Sequence, residues 1–131
     1  MVQWLYRLTR LIALWRVLFY GCAAFILYLA TTPLDYPIPS SSWDKLNHAM
    51  AFAVLAGLLS LAHRALGPLR QGLALLGYGL LIEIWQAFLP LRECDLADLA
   101  ADGVGLAVGL GVMAMFWLWL DRHPATNQPT L

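Results

Sequence analysis

The sequence predicts an all-α polytopic membrane protein, a bundle of four transmembrane helices in one domain, and three observations carry that prediction. Hydrophobic residues fill 61% of the chain and charged residues only 12%, too little polar surface to coat a water-soluble globule. The mean hydropathy, +0.68, agrees. The apolar residues fall into four long runs divided by short stretches of Pro, Gly or charge, and each run approaches the roughly 20 residues that cross a bilayer core. Trp117 and Trp119 close the last run as an interfacial belt.

The first expected helix covers residues 11–31 and follows a basic start studded with aromatics, MVQWLYRLTRLIALWR. A charged start before an apolar centre also describes a signal peptide. However, TTPLDYP offers no small-x-small cleavage site, and Arg16 can snorkel, so the run reads as an uncleaved transmembrane helix. Pro33, Pro37, Pro39 and the serines of the next segment cannot continue a helix. Ser42 then offers a cap for the second helix, expected over 46–62. Gly67 and Pro68 break the chain, which makes an antiparallel hairpin of the second helix and the third, expected over 70–89. The fourth is expected over 98–120, followed by a short polar tail.

Formal net charge is zero, and no basic cluster suits nucleic acid. Cys22 lies in an apolar run and Cys94 beside charges, which predicts no disulfide and no cysteine metal site. His63 and His123 read as solvated loop residues. Six arginines (7, 10, 16, 64, 70 and 122) fall on one side of the runs, whereas Lys45 and Arg92 fall on the other. By the positive-inside tendency, both termini and the Gly67-Pro68 turn are expected in the cytoplasm of an inner (plasma) membrane protein.

That topology gathers the remaining ionisable residues at the outer face. Asp44 and His48 are spaced i, i+4, Glu83 and Gln86 i, i+3, and Asp95, Asp98 and Asp102 i, i+3, i+7, so each set shares a helix face. Lys45 and Arg92 are the cations beside them. Glu83 precedes Pro90 by seven positions, about 10 Å from the expected helix end. A carboxylate at such depth costs about 2.5–3.5 kcal/mol on insertion scales. Ala97, Ala101, Gly105 and Gly109 recur every fourth residue, as do Ala49, Ala53 and Gly57, and such rows let membrane helices approach closely. The expected wager is one polar chamber, bordered by Trp43, Trp85 and Phe88.

Three blocks, Asp44-Lys45-x-x-His48-x-x-x-Phe52, Glu83-x-x-Gln86 with Pro90 and Arg92, and Asp98-x-x-Ala101-x-x-x-Gly105-x-x-x-Gly109, together resemble the VanZ-like family of small membrane proteins. The resemblance covers about half the chain, from Trp43 to Gly109. It departs at Asp102, where the family has asparagine, and so adds a negative charge. The family takes its name from a protein associated with resistance to teicoplanin, a lipid-tailed glycopeptide. The resemblance implies a role in the cell envelope.

Three readings follow. A structural or partner-binding subunit would use the cluster to hold helices in register, through bonds worth about 0.6 kcal/mol each. A binding protein would seat a lipid head group, a lipoglycopeptide or a cell-wall precursor among membrane lipids, with Arg92 and Lys45 as anion contacts. A membrane-embedded enzyme would use His48 and Glu83 as an acid-base pair, or Asp44, His48, Glu83 and Asp98 around a divalent metal. Absence of a nucleophile motif, HExxH or a Gly-rich phosphate loop weighs against the enzyme. The preferred expectation is therefore non-catalytic binding of a lipidic or glycopeptide ligand, with no cofactor and no metal.

Overall fold

The computed structural model describes residues 2–32, 42–90 and 95–124. They form α1 (Val2–Thr9), α2 (Ile12–Thr31), α3 (Ser42–Ala62), α4 (Gly67–Gln86) and α5 (Leu96–Arg122), with a 3₁₀ turn at Arg64–Leu66. Helices α2 to α5 are long and apolar enough to cross a membrane, and the chain is an all-α membrane protein built as a four-helix bundle.

The boundaries differ from expectation for local reasons. Residues 2–9, read only as a basic lead-in, form a helix of their own, separated from α2 at Arg10 and Leu11. Helix α3 begins at Ser42 rather than near 46. Hydropathy marks where a helix becomes apolar, not where it starts, and Asp44 in the first turn suits the positive end of the helix dipole. Gly67 adopts φ 72°, which lets the 3₁₀ turn run straight into α4 three residues early, and Pro68 sits where a helix needs no N–H. Helix α4 ends at Gln86, before Pro90. Helix α5 starts at Leu96 because Asp95 caps it, its carboxylate accepting from the Ala97 N–H at 2.8 Å.

Helix α3 is the hub. Its broadest interface is with α5, then with α2, while α4 packs on both α5 and α3. Phe52, Leu55, Ala56, Leu59, Leu75 and Leu106 form the core, flanked on α2 by Phe19, Cys22, Ala23 and Ile26. Large apolar side chains such as Val17, Phe25, Leu81 and Met115 lie exposed, the pattern of a bundle whose solvent is lipid. Gly105 and Gly109 make the α3–α5 contact possible. A β-carbon on Gly105 would overlap the Ala49 backbone, and one on Gly109 would lie 2.6 Å from the Ala53 carbonyl oxygen and 2.8 Å from the Ala56 β-carbon. Gly57, placed in this row by spacing, is outside it, since a β-carbon there meets nothing within 4 Å. Ala56 has turned into the seam instead.

The end holding the hairpin turn is tied by polar contacts. Trp117 donates to the Ser60 hydroxyl at 2.9 Å, and the Arg64 guanidinium lies 4.1 Å over the Trp117 ring while pairing with Asp121 at 2.8 Å. Tyr6 of α1 donates to the Leu120 carbonyl at 2.8 Å. His63, expected to be solvated, is half-buried, 3.2 Å from the Tyr20 hydroxyl. His123 is exposed.

Candidate functional site

Antiparallel chain directions bring the end of α2, the start of α3, the end of α4 and the start of α5 to the opposite end of the bundle. There α3 and α5 face each other across the glycine seam, so their acidic and basic residues meet. Lys45 donates to Asp95 at 3.1 Å and to Asp98 Oδ1 at 3.3 Å. One turn deeper, His48 Nδ1 lies 2.9 Å from Asp102 Oδ1, while His48 Nε2 lies 3.9 Å from Asp98 Oδ2. Asp44, His48 and Asp98 each present an atom within 4.8 Å of the others. Asp98 and Asp102 are buried; Asp44, Lys45 and His48 are half-buried. The 3.6-residue period explains why Lys45 and His48 share one face and meet Asp98 and Asp102 in order.

Glu83 points inward, only 1% exposed. Its Oε2 accepts the Asp95 N–H at 3.0 Å, so α4 holds the residue that caps α5. Its other oxygen, Oε1, is buried and has no hydrogen-bond partner among the described residues. Gln86, grouped with Glu83 by spacing, turns instead to α2 and donates to the Ala30 carbonyl at 3.0 Å. Arg92 lies outside the described residues, as does the Pro-rich loop. Ala101 is half-buried.

Beside the ion pairs, α2, α3, α4 and Asp102 of α5 line an open cleft of about 280 Å³. Asp44, Asn47, His48, Gln86 and Asp102 supply polar lining, and Ile26, Leu29, Phe52 and Ile82 supply an apolar wall. Trp43, Trp85 and Phe88, expected to border the chamber, are exposed and do not line it. Interfacial aromatics gain more by facing the bilayer boundary than by filling a polar cleft. Lys45, expected as an anion contact, is held by Asp95 and Asp98.

Two residues that sequence reasoning missed shape the site. Asn47 lines the cleft next to His48. Gly79 lets α4 close on α5, since a β-carbon there would lie 3.0 Å from Asp102 Oδ2 and 3.1 Å from the Phe52 ring. The signal that could have found it is the seven-residue spacing of Gly72 and Gly79, close to two helical turns and so one face of the helix. No family model, curated protein or solved structure matches the chain.

Proposed function

We propose that this is a plasma-membrane protein of the cell envelope, VanZ-like in character, whose cleft binds a lipidic or lipoglycopeptide ligand from the outer leaflet without reacting with it. The observation that carries this reading is the division of the cleft into a polar end and an apolar wall, which suits an amphiphile with its tail along α2 and its head against α3. Exposed Leu29 and Asn47 place the rim at the bundle surface. With Lys45 engaged by two carboxylates, the described polar lining of acids, amides and imidazole favours hydroxyl and amine donors over a bare anion. Sugar hydroxyls meet that requirement, which supports a glycosylated head group.

The test is teicoplanin susceptibility in cells carrying the gene or an empty vector. The chain should protect, and His48→Ala, which alters the polar end of the cleft, should reduce protection to that of the vector if the variant is folded and inserted at wild-type levels. Wild-type cells as susceptible as vector cells would remove the resistance element of the reading.

A second reading, an enzyme acting on a lipid or lipid-linked precursor, draws on the 2.9 Å contact between His48 and Asp102, which would hold an imidazole ready for proton transfer. It requires a mass change in extracted lipids that depends on His48.

A further inference from the structure

We propose that Asp44, His48 and Asp98 form a binding site for a divalent transition-metal cation of the zinc class. This goes beyond the amphiphile reading and stands without it.

The ligand atoms are already gathered. His48 Nε2 and Asp98 Oδ2 lie 3.9 Å apart, too far for a hydrogen bond. Two ligands at about 2.0–2.2 Å from one cation are separated by roughly 3.4 Å at a tetrahedral angle and more at wider ones, so small rotations suffice. Asp44 completes a set lying within 4.8 Å. Lys45 binds Oδ1 of Asp98, and the other oxygen is the one turned toward His48.

The orientation of His48 matches what a metal ligand needs. A carboxylate oxygen accepts hydrogen bonds, so in the neutral ring that a metal would require, the 2.9 Å contact to Asp102 Oδ1 takes the hydrogen on Nδ1, and Nε2 is the nitrogen turned toward Asp98. Metal-bound histidines characteristically donate their second nitrogen to a carboxylate in this way. Asp102 is 2% exposed and wedged against Gly79, which fixes the ring.

A separate observation is a buried acceptor at the same end of the bundle. Glu83 Oε1 is a fully enclosed acceptor without a hydrogen-bond partner among the described residues, on the carboxylate whose other oxygen accepts the N–H of Asp95, next to the Lys45–Asp95 pair. Among the described residues, the buried acids Glu83, Asp98 and Asp102 have Lys45 and His48 as the cations at this end of the bundle, and a bound cation would offset that difference. One imidazole with two carboxylates suits zinc or manganese better than calcium or magnesium, which prefer all-oxygen shells. Asp44 and His48 also line the cleft, so the remaining coordination positions would face it.

The full chain, purified into lipid nanodiscs and stripped with chelator, is titrated with Co²⁺, whose visible absorption reports nitrogen and oxygen ligation, and then with Zn²⁺. One Co²⁺ per chain, displaced by Zn²⁺, is expected. Asp44→Asn and Asp98→Asn should weaken binding at least tenfold, and Asp102→Asn, acting through the orientation of His48, about 10–100-fold. If a variant of the buried Asp98 or Asp102 fails to elute as folded protein, Asp44→Asn, at the half-buried start of α3, decides the matter. No saturable binding by the wild type, or equal binding by folded Asp44→Asn, overturns the site. Teicoplanin is absent from this assay, so its failure and a failure of the susceptibility test are separable.

Discussion

Glu83 sits where a carboxylate is costly, yet one of its oxygens has a definite structural task. It accepts the N–H of Asp95, the residue whose side chain caps α5 and whose carboxylate holds Lys45. Removing the acceptor strands a backbone donor, at a cost of about 1–3 kcal/mol. Glu83→Leu should therefore lower the thermal midpoint in detergent clearly, whereas Glu83→Gln, which keeps an acceptor oxygen, should unfold close to the wild-type temperature. Equal midpoints for the two variants would show that the Asp95 contact contributes nothing.

At the scale of helices, the α3–α5 seam decides whether the polar residues meet at all. Gly105, about one turn after Asp102, brings α5 against the backbone of Ala49, the residue that follows His48. Overpacking a tight contact costs about 1–3 kcal/mol, and here the obstructing atoms are backbone that cannot rotate away. Gly105→Ala should reduce the yield of folded protein and its thermal midpoint. Gly57→Ala, on the same α3 helix but with open space around it, should be neutral or slightly stabilising, since it replaces glycine inside a helix. Loss of stability at Gly57 and none at Gly105, read by size exclusion and thermal melting, would reverse the assignment of the seam. The recurrence of small residues every fourth position made this interface legible in the sequence, but not which small residues of α3 enter it. Spacing offered Gly57; the helix rotation set by Phe52, Leu55 and Leu59 in the core chose Ala56.

For the molecule as a whole, the antiparallel run of four spans places the ion-paired end and the Arg64–Trp117 end on opposite faces. Arginine is concentrated on the Arg64 side, and the positive-inside tendency predicts from this that the ion-paired end faces outward. A reporter active only after export should remain inactive when fused after Leu131 and become active when inserted at residue 36; the opposite pattern inverts the orientation and with it access of an outer-leaflet ligand.

Composition and hydropathy alone determined the fold class and the number of spans, because the bilayer imposes one length and one polarity on every crossing segment. Helical spacing also determined which acids share a face, since the period of an α-helix is the same wherever it lies. Only the tertiary structure decided how those faces meet. Lys45 is matched to Asp95 and Asp98, and His48 to Asp102, across 50 to 54 residues of sequence, while Gln86 turns from Glu83 to α2. These pairings depend on the relative rotation and depth of separate helices. Close packing at Gly79, Gly105 and Gly109 sets both, and no periodicity within a single helix contains them.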